Sequence, residues 1–293
     1  MDPMRIRQTT LGTAATLAAA LGLLIATPAA AEASTTTPAA STASRAVAAH
    51  PLPPAVPSAA PPANGSGPVC WFGACYDYVS GRQKTDAAGA SILMQQSAPT
   101  IKPGDTDSHS LQELAVQSAD QKSTVEVGWT VDLGLNGDLL PHLFVYHWVD
   151  GQESCYNACG FVPVSRTVTA GMALRPGDAA RYGIVNLGGD WWIFYNHQAV
   201  GYFPGSLWSG GYTRTQTITA FGEVAHAAGS TCESMGDGRF GSAPGSGWIR
   251  DFQLLDATDS AQLTVTATSP ALYDSGRVTP TAFHLGGPGA GPC

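Results

Sequence analysis

Lysine is almost missing from this chain. It supplies only three of the 14 basic residues, and charged residues make up only 12% of the 293 positions. The formal net charge is −8, and the basic residues form no run. That excludes a nucleic-acid footprint and a polybasic membrane patch. Beyond residue 31 no apolar run is long enough to span a bilayer. No three-turn amphipathic helix is legible after residue 35. His-Glu-x-x-His and Cys-x-x-Cys are absent, which argues against a zinc site. The seven histidines, at positions 50, 109, 142, 147, 197, 226 and 284, contain no i, i+4 pair and read as structural or surface residues. His142 and His147 would point to opposite faces of a strand. Gly-x-Ser-x-Gly is also absent, although a Ser/His/Asp triad needs no closeness in sequence and stays open on that ground alone.

What is plentiful points to β-structure. Gly 34 and Pro 21 mark a turn-rich chain. Residues 1–31 read as a secretory signal peptide. Arg5 and Arg7 open it, Leu11–Ala26 is apolar, and Ala29-Ala30-Ala31 is a small-residue cleavage site. Residues 32–68, mostly Ala, Pro, Ser and Thr, cannot bury enough surface to fold and read as a disordered linker or pro-segment. They contain the sequon Asn64-Gly65-Ser66. Residues 69–293 form the folded domain. Six cysteines in an exported chain imply disulfides. Of the fifteen possible connectivities, local spacing suggests Cys70–Cys75, Cys155–Cys159 and Cys232–Cys293.

Short candidate strands recur between turn signals. They are Ser91–Gln96, Leu111–Val116, Ser123–Val131, His142–Val149, Gly160–Val168, Tyr182–Leu187, Trp191–Asn196, Gln198–Phe203, Thr217–Ala225 and Gln262–Thr268, with period-2 alternation clear in Ser123–Val131 and Thr217–Ala225. Leu111–Val116 also fits helical spacing. It is assigned as a strand because Ser118–Lys122 then makes a hairpin loop. Gly188-Gly189-Asp190 signals another hairpin. The sum is an all-β fold, a sandwich or a barrel.

Two of these strands carry a carboxylate opposite an aliphatic stripe. Val125, Val127, Trp129 and Val131 share one face, and Glu126 stands on the other beside Gly128, where open backbone could admit a ligand. Ile218, Ala220, Gly222 and Val224 share a face, with Glu223 opposite. Two carboxyls with split pKa values can activate water and protonate a leaving group, provided their strands lie close. Two outward-facing, solvated glutamates would give the same pattern. Trp191, Trp192, Tyr195, Tyr202, Phe203 and Trp208 form the densest aromatic region, part core and part potential groove for a proline ring or a sugar.

The order of segments resembles the neprosin family. The matching pieces are Val125–Val131, His142–Tyr146, Cys155–Val162, Asp190–Trp192, Val200–Trp208, Phe221–Val224, Ser234–Gly238 and Gly286–Gly289 before Cys293. The resemblance implies an antiparallel β-sandwich with a cleft on one concave sheet. It also implies a secreted endopeptidase of the glutamic class, cleaving after proline at acidic pH, with Glu126 and Glu223 as catalytic pair and no metal or organic cofactor. Trp129, Tyr156, Trp192 and Tyr202 are its candidate substrate-binding residues. The expected partner is a proline-containing protein or peptide, and neither nucleic acid nor a membrane, with the chain a monomer. Two other classes remain: a non-catalytic wall-binding or lectin-like sandwich, and a glycosidase, which also uses two carboxylates.

Overall fold

A computed structural model describes residues 64–71, 73–229 and 231–293. The expected signal peptide and most of the expected linker lie outside these residues. The strands, in chain order, are Val69–Trp71 (β1), Ala74–Ala87 (β2), Gly89–Gln95 (β3), His109–Gln117 (β4) and Thr124–Val131 (β5). A single helical turn, Leu133–Asn136 (α1), follows. Then come His142–Val149 (β6), Gln152–Glu153 (β7), Val162–Pro163 (β8), Ala179–Leu187 (β9), Asp190–Tyr195 (β10) and Gln198–Phe203 (β11). Thr215–His226 (β12), Gly247–Leu255 (β13), Thr264–Ala267 (β14), Asp274–Thr279 (β15) and Ala282–Gly286 (β16) complete the chain.

These strands form two eight-stranded antiparallel sheets, one curled into a half-barrel, and the fold is a β-sandwich. The first sheet runs β1-β2-β12-β4-β5-β6-β7, with β14 beside β2. The second runs β15-β16-β13-β3-β9-β10-β11-β8. Alternation decides what each face buries. Val125, Val127, Trp129 and Val131 of β5, with Ile218, Ala220 and Val224 of β12, meet Ile92, Tyr182, Ile184 and Ile193 of the second sheet in one core. The opposite face of the first sheet carries a separate apolar cluster that includes Tyr76, Tyr78, Leu111, Phe144, Tyr146, Trp148 and Phe221.

The hairpin loop after β4 forms as expected, with Ser118 N–H donating to Ser123 O at 2.8 Å. The β9–β10 turn uses Gly188 and Gly189 at φ 66° and 99°, a region costly for any residue with a Cβ. All three proposed disulfides are present.

Gly160–Val168 is not a strand as a whole; only Val162–Pro163 pairs, against β11. Past the proline, the Val164 and Ser165 N–H groups both donate to Val200 O, at 3.0 and 3.3 Å. Ser165 Oγ then accepts the Thr167 and Val168 N–H groups, so a side-chain turn takes over the backbone bonding. Order also begins before Val69. Gly65 N–H donates to Ala267 O, and Gly67 N–H to Thr268 O, both at 2.9 Å. Asn64 of the sequon accepts Ala267 N–H at 3.1 Å. The longest strand, β2, and the strands β13, β15 and β16 carry no clean alternation and were not expected.

Candidate active site

Glu126 and Glu223 both lie on the face of the first sheet opposite the main core, as alternation requires. Their strands are not neighbours, because β4 runs between them. Glu223 pairs in register with Leu111, and Glu126 with Ala115. Midway on β4 stands Glu113, opposite Phe221 of β12 and Gly128 of β5. Glu223, Glu113 and Glu126 therefore step diagonally across three strands, two residues per step. Such diagonal neighbours have Cα atoms about 7–8 Å apart, within reach of long side chains. All three are buried, not solvated.

The register also explains Gly128. A Cβ there would meet Gln112 O at 2.3 Å, Glu113 Cβ at 2.6 Å and Phe144 Cε1 at 2.8 Å. The space beside Glu126 is thus taken by Glu113 and Phe144 and is not open to a ligand. Gly222 does a different job: a Cβ would meet Leu285 Cδ1 at 2.3 Å, on the core side.

Each outer glutamate receives a ring nitrogen. Trp148 Nε1–H donates to Glu126 Oε1 at 2.7 Å, and the other oxygen, Oε2, is buried with no hydrogen-bond partner. His109 Nε2 lies 2.7 Å from Glu223 Oε1, and the buried Tyr78 phenol hydrogen-bonds to Glu223 as well. Among the described residues Glu113 has no hydrogen-bond partner for either oxygen. Burial pushes Glu126 well above the usual carboxylate range; the Trp148 bond opposes this, and the charge of Glu223 adds to it. Glu113 is likewise raised, by burial and then by the charges of Glu126 and Glu223. Burial lowers His109 to about 4, against the pull of Asp132.

The aromatic candidates separate. Trp129 is fully buried between the sheets, its Nε1–H donating to Gln95 O at 2.9 Å, so it is a core residue and not a substrate contact. Its odd-numbered place in β5 had already put it with the aliphatic stripe. Trp192 and Tyr202 belong to the second sheet, where they stack at 4.8 Å. Their neighbours Trp191, Ile193, Val200 and Phe203 fill the core, so this pair faces away from the glutamates. Only Tyr156 joins the glutamate face. It stacks on Phe144 and donates to Asn136 Oδ1 at 3.1 Å. Sequence reasoning missed Glu113 and His109. The signal for Glu113 was present: once β4 is a strand, 109, 111, 113 and 115 share a face that cross-strand pairing turns toward Glu126 and Glu223.

Several acids of unequal environment on one sheet face are equipment for acid–base hydrolysis. The chain belongs to the Neprosin family, whose model matches residues 106–288. Among solved structures it is similar to scytalido-glutamic peptidase with a transition state analog inhibitor. That match has 12% identity, covers 71% of this chain and 97% of that one, and has a TM-score of 0.38. It is also similar to SCP-B, a member of the Eqolisin family of peptidases in a complex with the tripeptide Ala-Ile-His. Here the identity is 10%, the coverage 71% and 96%, and the TM-score 0.36. Chicken galectin 2 matches at 9% identity over 50% and 92%, with a TM-score of 0.30. At these identities and scores the structural likenesses carry no argument about activity.

Proposed function

We propose that the protein is a secreted glutamic endopeptidase that cleaves proline-containing peptides under acidic conditions. The observation that carries this reading is the unequal pair itself. Glu126 is buried with a single donor on one oxygen and is held protonated by burial. Glu223 receives His109 and Tyr78 and is the better seat for a negative charge.

In this reading the scissile bond is held on the outer face of the first sheet between Glu223 and Glu126. Glu223 takes a proton from water as the water oxygen bonds to the carbonyl carbon. Glu126 hydrogen-bonds the carbonyl oxygen and passes its proton to the leaving nitrogen as the C–N bond breaks. Protonated Glu113 adds no charge between them. Tyr156, half-buried and stacked on Phe144, offers a flat face to a proline ring. The family membership and the signal-like start of the sequence support export, and the chain acts as a monomer without a cofactor.

The test is cleavage of a proline-containing peptide by wild type, Glu126→Gln and Glu223→Gln, scanned from about pH 2 to pH 8 to span normal and raised carboxyl values. A bell-shaped profile in wild type is expected, with roughly 10²–10⁴-fold losses in folded variants. Wild-type turnover in either folded variant would overturn the glutamic mechanism and leave a polymer-binding sandwich as the better reading.

A further inference from the structure

His109 does more than touch Glu223. It sits at the start of β4, diagonal to Glu223 across the β4–β12 pairing, and is almost fully buried. Its second nitrogen, Nδ1, faces Asp132 Oδ2 at 4.0 Å. Asp132 follows β5 and caps α1, its Oδ1 accepting Leu135 N–H at 2.9 Å. Oδ2 is buried and has no hydrogen-bond partner among the described residues. Beside the two lies a cavity of about 10 Å³, lined by His109, Asp132, Leu135 and Tyr156 among others. That is on the scale of a single water, which could complete the 4.0 Å gap.

A neutral imidazole has one N–H and one lone pair. With the hydrogen on Nε2, His109 donates to an ionised Glu223, and its Nδ1 lone pair faces a protonated Asp132. With the hydrogen on Nδ1, it serves an ionised Asp132, and Nε2 accepts from a protonated Glu223. The two arrangements hold the same protons and differ only in which acid is charged. Asp132 accepts the Leu135 and Gly134 N–H groups, but its Oδ2 stands 4.0 Å from Nδ1, too far for a hydrogen bond, whereas Glu223 has both the 2.7 Å contact to Nε2 and the Tyr78 phenol. The first arrangement is the better satisfied.

We propose that His109 and Asp132 are positioning residues, an Asp132–His109–Glu223 array that holds Glu223 as the ionised glutamate. The proposal rests on the glutamic reading above. Other titratable groups facing the array are Tyr76, Tyr78, Glu113 and Glu126 around Glu223, and Asp105 and Tyr156 around Asp132.

The experiment compares pH profiles of kcat/KM for His109→Leu, His109→Gln and Asp132→Asn, with Glu223→Gln as reference. His109→Leu removes the donor and is expected to raise the acid limb by about one to two pH units, the worth of a hydrogen bond to a charged group. His109→Gln restores a donor and brings the limb back toward wild type. Asp132→Asn keeps the cap with its oxygen and turns an N–H toward Nδ1, so the limb does not rise. In folded wild type, ¹⁵N shifts of His109 should report the Nε2–H tautomer at the working pH. An Nδ1–H tautomer, or an unmoved acid limb in folded His109→Leu, overturns the array. Should His109→Leu not fold, the tautomer and the Gln variant decide. If Glu223→Gln retains activity, the glutamic reading itself fails. If it is inactive while the array results are negative, only the array fails.

Discussion

Glu126 and Glu223 each accept a ring nitrogen at 2.7 Å on the same sheet face, but the rings are of different kinds. An indole N–H is a donor only and never changes its proton count. An imidazole can donate or accept and can be reset by whatever stands behind it. Glu126 therefore has a fixed, single donor, and its buried bare oxygen favours the neutral acid. Glu223 has a partner whose tautomer can be matched to a charge. The two strands look alike in sequence, an acid opposite an aliphatic stripe with a glycine beside it. They differ in what lies across from them.

The sharpest way to break this comparison is to make the two acids into amides. Glu223→Gln removes the base and should cost about 10⁴-fold in kcat/KM. Glu126→Gln still offers an N–H to the carbonyl oxygen and should cost about 10²-fold. It should also lose the alkaline limb, since an amide has nothing to ionise. The double variant should be little worse than Glu223→Gln, because the groups act as a unit. Equal losses with unchanged profiles would mean the two acids are not specialised.

The glycines separate the strands next. Gly128→Ala drives a Cβ into Gln112 O, a backbone atom that cannot move without opening the β4–β5 ladder. A loss of about 3 kcal/mol is expected. Gly222→Ala meets the ends of Leu285 and Met235, which can turn aside; about 1 kcal/mol is expected. Urea midpoints at constant m-value measure both. Equal destabilisation would remove the special role given to the Gly128–Glu113 pairing.

That pairing also shows what the sequence could and could not carry. Alternation in β5, β6 and β12 was strong because one face of each is almost purely aliphatic, so those strands and the two glutamates were legible. Strand β2 was not, because neither face is uniform: Tyr76 and Tyr78 stand with Ser80 and Arg82, and Val79 and Gly81 with Asp77 and Gln83, which erases the polar/apolar contrast. The neighbour order β12-β4-β5 is a long-range fact that no local pattern contains. Without it nothing singles out Glu113, and His109 reads as a structural or surface histidine. Trp192 and Tyr202 misled for the same reason: aromatic density is local, while the sheet to which it belongs is not.

Glu113 sharpens the comparison from between the two acids. Its folded value lies above its unfolded value near 4.5. The stability it contributes is thus fully present below about pH 4.5 and is lost as pH rises toward the raised folded value. At pH 7 the loss cannot exceed about 3 kcal/mol, the cost of withholding ionisation over that interval. Glu113→Gln has no proton to withhold. Relative to wild type, its melting temperature should be higher at pH 7 than at pH 3. A difference that does not change with pH would mean Glu113 ionises normally in the fold.

Trp148→Phe tests the assignment of roles most directly. The indole bond favours ionised Glu126 and so holds its pKa below what burial alone would set. Phe keeps an aromatic ring against Tyr146 but has no N–H to give. Glu126 should then stay protonated to higher pH, and the alkaline limb of kcat/KM should rise by about one to two units. The acid limb, which follows Glu223, should stay where it is. Loss of packing around the smaller ring lowers stability but multiplies the rate at every pH alike, so it does not mimic a shifted limb. His109→Leu should narrow the active window from its acid side, and Trp148→Phe should widen it on the alkaline side. If Trp148→Phe moves the acid limb instead, Glu126 is the ionised member and the roles of the two glutamates are exchanged.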